Sequence, residues 1–407
     1  MKTPIYLDYQ ATTPTDPRVV EAMLPFFSQR FGNPHSRQHA IGRQADDAVE
    51  EARAAIARLI AADPREIVFT SGATESNNLA IRGAARFAAG AAGARRHIVT
   101  CATEHKCVLE SCRALERDGF SVTRLPVNEN GLIDVGRLAA ALGEETRLVS
   151  IMAVNNEIGV IQPLAEIGAL CRARGVLFHT DAAQALGRMP LDVNAMGIDL
   201  MSLSGHKVYG PKGIGALYVR RRPRVRLEPL FAGGGQERGL RSGTLPAPLC
   251  AGLGEACRIL EAEGAAEATR LARLRDRLLD AILDALPDTH VNGDMRHRVA
   301  GNLNLAFPGI DAEALMASVP DLALSTGSAC TSASVEPSYV LAALGVGSDL
   351  AFGSLRVGLG RFTTDDDIDY AAGRLVAAVR RLRAGTVRHP PFHDADDLKS
   401  RHNAEHL

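Results

Sequence analysis

Two kinds of hydrophobic pattern alternate along much of the chain. Between residues 44 and 60, apolar residues such as Ala45, Val49 and Ile56 recur every three or four positions, which predicts a helix. Segments with this spacing, such as 164–174, separate short apolar runs that predict strands. These runs are 66–70, 97–101, 121–127, 148–154, 176–179, 198–203 and 215–220. Strands that alternate with helices indicate an α/β fold, with a mostly parallel central sheet wrapped by helices.

The pattern changes in the last third of the chain. A long helical stretch, 248–286, becomes highly charged in its second half, and we place a domain boundary near residue 262. Further strands are predicted at 302–307, 322–325 and 355–362, followed by a last long helix. The predicted units are an N-terminal segment (1–15) that packs with the small domain, a large domain (16–262), a smaller α+β domain (263–388) and a loose tail (389–407).

Composition narrows the class of protein. A chain of 407 residues with 46% hydrophobic residues is long enough for two domains with large cores. Its net charge of −1 gives no overall field that would attract nucleic acid or a membrane surface. No apolar run approaches the length that spans a bilayer, and seven cysteines fit free thiols in the cytoplasm. The run 220–226, with five arginines, is interpreted as a solvated loop, with a partner-binding patch as the alternative.

Polar side chains cluster where the predicted strands end. Lys207 follows the apolar run 198–203, and poor hydration at the mouth of a buried strand favours its neutral amine, which can condense with an aldehyde. Asp181 and Gln184 follow another strand, and His105 follows a third. Because α/β active sites gather at strand ends, these side chains are candidates for catalysis. A surface lysine and a structural histidine remain the alternatives.

A second group of residues offers donors for a phosphate. Segment 71–76 lies between a predicted strand and a helix, which is an anion-binding arrangement, although an ordinary helix cap is the alternative. Ser202, Ser204 and His206 lie next to the lysine. An amine for an aldehyde, a carboxylate for a pyridine nitrogen and donors for a phosphate together indicate pyridoxal 5'-phosphate.

The chain resembles the group I cysteine desulfurases of the NifS/IscS type, which belong to the class-V aminotransferase family. Within that group, it resembles the IscS branch most. The resemblance covers roughly residues 4–385. The segments that carry it are Tyr6-Leu-Asp-Tyr-Gln-Ala-Thr-Thr-Pro, Phe69-Thr-Ser-Gly-Ala-Thr-Glu-Ser-Asn-Asn, Thr103-Glu-His-Lys, Val154-Asn-Asn-Glu-Ile-Gly, Asp181-Ala-Ala-Gln, Ser204-Gly-His-Lys-Val-Tyr-Gly-Pro-Lys-Gly, Arg241-Ser-Gly-Thr and Ser328-Ala-Cys-Thr-Ser. It implies the aspartate aminotransferase-like fold of pyridoxal phosphate-dependent transferases, fold type I.

The resemblance also implies a role for each candidate residue. Lys207 would be the Schiff-base lysine, His105 would stack on the ring and move protons, and Cys330 would be the nucleophile on a mobile loop, 325–334. Asn156 and Arg356 would bind the substrate carboxylate. The cofactor-binding residues would be Ala73, Thr74, Asn156, Asp181, Gln184, Ser204, His206, Lys207 and, from the other subunit of a homodimer, Thr244. As candidates for the nucleophile, Cys107 and Cys112 rank well below Cys330.

The implied reaction converts L-cysteine to L-alanine and leaves a persulfide on Cys330, for delivery to an acceptor protein such as an iron–sulfur scaffold. No fixed metal site is expected, although Cys330 could ligate an iron–sulfur cluster transiently. Selenocysteine lyase, aminotransferase and a non-enzymatic sulfur-carrying assembly factor are the rival functions. The segment from Pro390 departs from the IscS branch, which puts docking to a scaffold in doubt.

Overall fold

The computed structural model describes residues 4–89, 95–326 and 337–385 of the chain. The predicted tail, 389–407, and most of the predicted cysteine loop, 325–334, lie outside these ranges. The α-helices are α1 (Pro17–Met23), α2 (Pro25–Ser28), α3 (Ala40–Leu59), α4 (Ala73–Ala89), α5 (Lys106–Arg117), α6 (Val135–Ala141), α7 (Leu164–Arg174), α8 (Ala247–Ala285), α9 (Ala312–Ser318), α10 (Tyr339–Ala343), α11 (Ser348–Phe352) and α12 (Asp365–Ala384). The strands are β1 (Ile5–Tyr6), β2 (Ile67–Thr70), β3 (His97–Cys101), β4 (Ser121–Leu125), β5 (Thr146–Ser150), β6 (Leu177–Asp181), β7 (Leu200–Ser204), β8 (Gly215–Val219), β9 (His290–Val291), β10 (Asn302–Ala306), β11 (Leu322–Ala323) and β12 (Ser354–Gly358).

The central sheet has the strand order β2-β8-β7-β6-β5-β3-β4. Strands β7, β6, β5, β3 and β4 pair in parallel, and only β8 runs antiparallel to its neighbours β2 and β7. Neighbouring residues of a strand enter different cores, as Val68 and Phe69 do on β2, so both faces of the sheet are covered. The prediction of a mostly parallel sheet between helices is therefore confirmed.

A second core forms around the antiparallel sheet β12-β10-β9. The long helix α8 contributes to both cores, with Leu260 in the first and Leu271 in the second. The residue at which we predicted a domain boundary, 262, falls between these two leucines. Strand β1 of the N-terminal segment pairs in parallel with β11, and Leu7 is buried in the second core. The division into domains at these residues stays a prediction.

Some element boundaries differ from the predicted ones. Helix α3 begins at Ala40 because the His39 side chain caps it, accepting a hydrogen bond from the Gly42 N–H at 3.0 Å. Histidine is not among the common capping residues, which is why the predicted helix begins four residues too late, at 44. Strand β5 ends at Ser150 rather than 154, because its pairing with β3 stops there. Beyond it the Ile151 and Ala153 N–H groups still bond toward β6, but Val154 pairs with Ile161 instead.

A buried histidine links three central strands. His179 of β6 is fully buried, with Nδ1 2.8 Å from Ser150 Oγ on β5 and Nε2 3.0 Å from Ser202 Oγ on β7. Burial lowers the pKa of His179 to about 3, so the ring is neutral at neutral pH. These strands carry the candidate residues at their ends, so the histidine helps to hold the site together.

This histidine should make stability depend on pH. In the unfolded chain an imidazole has a pKa of about 6.5. Below that pH the unfolded state therefore binds a proton that the folded state does not bind. The contribution of His179 to the free energy of unfolding is therefore complete above pH ~6.5. It falls by about 1.4 kcal/mol per pH unit as the pH is lowered toward ~3. Denaturant titrations between pH 7 and pH 5 should show a shallower pH slope for His179→Gln than for the parent. Equal slopes would contradict this assignment.

Candidate active site

A cavity of about 620 Å³ lies where β5, β6 and β7 end and α4 begins. The sequence-predicted residues that line it are Ala73, Thr74, His105, Asn156, Asp181, Gln184, Ser204, His206, Lys207 and Arg356. They come from six separate stretches of the chain. The carboxyl ends of parallel strands meet at one edge of a sheet, which is why distant segments converge here.

Lys207 ends a single 3₁₀ turn, Gly205–Lys207, that follows β7 directly. Its Nζ donates to two backbone carbonyls, Gln10 O at 2.6 Å and Ala11 O at 2.8 Å. These two carbonyls fix the position of the amine at the wall of the cavity.

Asp181 ends β6 and is only 5% exposed. Its Oδ1 accepts a hydrogen bond from the Ala183 N–H at 2.9 Å, and its Oδ2 accepts one from Asn77 Nδ2 at 2.6 Å. Sequence reasoning missed Asn77, although it lies in a quoted segment. Asn77 follows Ala73 by four residues, which places both on one face of α4. That spacing is the feature of the sequence that indicates Asn77 as a residue of the site.

His105 caps the start of α5, and its Nδ1 accepts a hydrogen bond from the Cys107 N–H at 3.2 Å. A ring nitrogen that accepts from an amide carries no proton, so a neutral ring has its proton on Nε2. Burial lowers the pKa of His105, against an opposing effect of the nearby Asp181 carboxylate. With Nδ1 occupied, the neutral ring presents its Nε2–H to the cavity and can move a proton through that nitrogen.

Gln184 is oriented by Arg188, four residues later. Its Oε1 accepts a hydrogen bond from Arg188 Nη1, and its Nε2 donates to Gln10 O at 2.9 Å. Because an arginine side chain can only donate, the Gln184 amide must point its oxygen toward Arg188. Its NH₂ group then points away from Arg188. The NH₂ group is therefore the part of Gln184 that faces Gln10.

The β2–α4 turn forms the predicted phosphate end of the cavity. Ala73 and Thr74 open the 17-residue helix α4, whose first N–H groups and positive dipole end favour an anion. The turn lies so close to β8 that a Cβ on Gly215 would lie 2.6 Å from Gly72 Cα. Glycine at 215 is thus required for this approach.

His206 faces the same end of the cavity. Its Nδ1 lies 3.0 Å from Thr12 Oγ1. Burial, with added repulsion from Lys207 and Lys212, lowers the pKa of His206 to about 4, so the ring is neutral at neutral pH. Ser204 also lines the cavity, whereas the prediction for Ser202 is wrong, because that hydroxyl is fully buried against His179 and does not reach the cavity.

Arg356 approaches from β12, and its side chain is 4% exposed. Nη1 donates to Asn156 O at 3.0 Å and Nη2 donates to Asp8 Oδ1 at 2.7 Å. Within the described residues, Arg356 Nε and Asn156 Oδ1 are buried without a hydrogen-bond partner. An unpartnered buried donor and an unpartnered buried acceptor at a cavity wall indicate a site for a polar ligand.

One further predicted residue that the structure describes lies outside this cavity. Thr244 is exposed and is not among the lining residues, so its contribution to a partner's site stays a prediction. Glu237 anchors the loop that carries it, 233–244, through a buried bidentate ion pair with Arg53, with N···O distances of 2.8 and 2.9 Å. Sequence reasoning missed this anchor because its partners are 184 residues apart.

Cys330 lies outside the described residues. The chain on either side of it is held beside the cavity. Ser325 O accepts a hydrogen bond from the Arg356 N–H at 2.7 Å, and Tyr339 Oη donates to Glu104 O at 2.7 Å, next to His105.

The described cysteines are free thiols, and one of them lines the cavity. Cys101, Cys112, Cys171, Cys250 and Cys257 are buried, whereas Cys107 is partly exposed at the cavity wall. Its Sγ lies 3.0 Å from His105 Nδ1 and 3.1 Å from Asn77 Nδ2. Burial and the Asp181 charge raise the pKa of Cys107 to about 12, so this thiol stays protonated at neutral pH.

Clustered metal ligands and membrane-spanning helices are both absent from the part of the chain that the structure describes. It contains no group of three or more His, Cys, Asp or Glu side chains placed to hold a metal ion. Of its helices, none combines the length and the apolar character needed to cross a bilayer.

The fold and the site together define an α/β protein of the aspartate aminotransferase-like fold type I, with a lysine-centred cavity at the carboxyl edge of its sheet. The sequence profile of the aminotransferase class-V family matches residues 5–371. The chain belongs to this family, and within it to the NifS/IscS group of cysteine desulfurases. The resemblance seen in the sequence is thereby confirmed.

Its relatives cover almost the whole chain. A human protein named cysteine desulfurase is 56% identical over 98% of this chain and 86% of its own length. The IscS cysteine desulfurase of Rickettsia rickettsii is 54% identical, over 97% of this chain and 96% of its own length. Among solved structures, a NifS-like protein superposes with a TM-score of 0.86 at 34% identity, covering 93% of this chain and all of its own. A protein described as SspA in complex with cysteine has a TM-score of 0.79 at 39% identity. The match covers 88% of this chain and 100% of that one.

Proposed function

We propose that this chain is a pyridoxal phosphate-dependent cysteine desulfurase, which converts L-cysteine to L-alanine and leaves the sulfur on Cys330 as a persulfide. One observation carries the proposal: Lys207, Asp181 and Arg356 line the same cavity. The first two suit an aldehyde cofactor with a pyridine ring, and the third suits an amino acid carboxylate. The names of the relatives support this choice of reaction.

The residues of the cavity fit the cofactor. Ala73, Thr74, Ser204 and His206 would hold the phosphate at the start of α4, and Asp181 would face the pyridine nitrogen. Gln184 would donate its NH₂ to the ring oxygen, and His105 would lie on the ring. When bound, the cofactor supplies an aldehyde for Lys207 and an electron sink for negative charge at the substrate α-carbon.

Lys207 is proposed to carry the proton of the substrate α-carbon, through Nζ. The carbonyls of Gln10 and Ala11 would keep the amine at the cavity wall when it is free. His105 would act as the second proton carrier through Nε2, because its Nδ1 is occupied by the Cys107 N–H.

Arg356 and Asn156 are proposed to bind the substrate carboxylate. The planar guanidinium can meet both carboxylate oxygens, and its unpartnered Nε is available for one of them. Holding the carboxylate there would orient the substrate's amine toward Lys207 and its thiol away from the sheet.

Cys330 is proposed as the nucleophile. Its thiolate would attack the substrate sulfur, forming an S–S bond while the C–S bond breaks. The electron pair of the broken bond would stay on the substrate β-carbon, which takes up a proton to become the methyl group of alanine. Burial raises the pKa of each described cysteine, to about 11 for Cys101 and about 12 for Cys112, Cys171 and Cys257. None of the described thiols is therefore suited to this attack, which supports Cys330.

The proposal extends to the assembly and the partners. Thr244 would reach the phosphate of the other subunit in a homodimer. The persulfide would pass to an acceptor protein, with an iron–sulfur scaffold as the expected class, and the free thiols suit a reducing compartment such as the cytoplasm.

The purified chain, supplied with pyridoxal phosphate, L-cysteine and a thiol reductant, should release alanine and sulfide in equal amounts. Amino acid analysis and a sulfide assay would measure both products. A keto acid in place of alanine would instead indicate an aminotransferase. Turnover of selenocysteine but not of cysteine would indicate a selenocysteine lyase, and no product from either would leave the assembly-factor alternative.

A further inference from the structure

Residues 8–13, which we call the N-terminal strap, run along the cavity, which Gln10, Ala11 and Thr12 line. The strap carbonyls of Gln10 and Ala11 accept from Lys207, and Thr12 Oγ1 lies 3.0 Å from His206 Nδ1. Asp8, at the start of the strap, is the only charged residue in it. The strap therefore joins the lysine side of the cavity to the arginine side.

Asp8 is held next to Arg356 by the backbone. The Gly358 N–H donates to Leu7 O at 2.7 Å, and the Tyr9 N–H donates to Gly358 O at 3.4 Å, which places Asp8 beside β12. A Cβ on Gly358 would lie 2.8 Å from Tyr9 N, so the strap and the strand are in direct contact. This contact leaves Asp8 little freedom to move away from the arginine.

The two acceptors of Arg356 fix the plane of its guanidinium. Asp8 Oδ1 binds Nη2 and Asn156 O binds Nη1, while both charged side chains are largely buried, at 16% and 4% exposed. An arginine held at two nitrogens cannot rotate about its last torsion without breaking one of the bonds. Its remaining N–H groups are thus directed before any ligand arrives.

We propose that Asp8 is a positioning residue, which orients the Arg356 guanidinium for the substrate carboxylate. This inference rests on the proposed function, in which Arg356 binds that carboxylate. The role of Asp8 requires an acceptor oxygen at the position of Oδ1 more than it requires a negative charge. Loss of the oxygen should weaken carboxylate binding and leave the chemistry at Lys207 unchanged.

Three substitutions test this role. Asp8→Ala removes the acceptor, and KM for L-cysteine should rise by about 10-fold to 100-fold, the range for a lost hydrogen bond to a charged group, with kcat within about 3-fold. Asp8→Asn keeps the oxygen, and KM should stay within about 3-fold of the parent. Asp8→Glu keeps the charge but moves the oxygen by one methylene, so KM should rise. If Asp8→Ala does not fold, the contrast between the asparagine and glutamate variants still decides the question.

Two competitive inhibitors separate positioning from general damage. 3-Mercaptopropionate has the carboxylate and thiol of cysteine but no amine, so its inhibition constant should rise in Asp8→Ala as much as KM does. Cysteamine has the amine and thiol but no carboxylate, so its inhibition constant should not change. Equal weakening of both inhibitors, an unchanged KM in Asp8→Ala, or an asparagine variant as poor as the alanine variant would overturn the proposal. A parent without L-cysteine turnover would instead refute the proposed function, so the two failures are distinguishable.

Discussion

Replacement of Lys207 by alanine is expected to lower the turnover of L-cysteine by about 10³-fold or more. The variant loses both the amine that would hold the cofactor aldehyde and the base that would carry the α-proton. The Gln10 and Ala11 carbonyls position the Lys207 amine at this wall of the cavity, and alanine leaves no amine at that position. Alanine and sulfide production measure the loss.

A second measurement follows the cofactor itself. Borohydride reduction of the parent with pyridoxal phosphate should fix the cofactor to a peptide that contains Lys207, and mass spectrometry should find none on the alanine variant. Lys207→Arg keeps the positive charge but cannot condense with an aldehyde, so it should be equally inactive. Lys106→Ala, outside the cavity, is the matched control and should retain activity. A Lys207→Ala protein that still turns over cysteine would refute the central assignment.

Replacement of Cys330 by alanine is expected to lower sulfide formation by at least about 10³-fold, as the loss of a nucleophile does. The cofactor should still bind, because none of the cofactor-binding residues is changed. Mass spectrometry of the parent after incubation with L-cysteine should show one added sulfur atom on the peptide that contains Cys330.

Cys107→Ala is the informative control for this prediction, since Cys107 is the described cysteine that lines the cavity. Its raised pKa keeps it a neutral thiol, so the alanine variant should still form the persulfide. Contact with His105 allows a moderate change of rate. A persulfide that appears on Cys107, or a Cys330→Ala variant that releases sulfide at the rate of the parent, would contradict the assignment.

The residues that sequence reasoning missed have one feature in common: each acts through a contact between distant parts of the chain. Asn77 meets Asp181 across 104 positions, Arg53 meets Glu237 across 184, and Asp8 meets Arg356 across 348. The segments around Asn77 and Asp8 were visible as motifs, but a motif does not name the partner of each side chain. Ser202 was misjudged for the related reason that burial against His179 depends on a neighbouring strand.

The sequence by itself determined the α/β class, the order of the main elements, the family and ten of the residues that line the cavity. It could do so because hydrophobic periodicity and strand-end motifs are local properties of the chain. The tertiary structure alone decided which side chains face one another: that the strap from Asp8 to Thr13 holds Lys207, His206 and Arg356, and that buried thiols such as Cys107 stay protonated. Burial and long-range hydrogen bonds are properties of the folded chain, because they arise only when segments far apart in sequence come together.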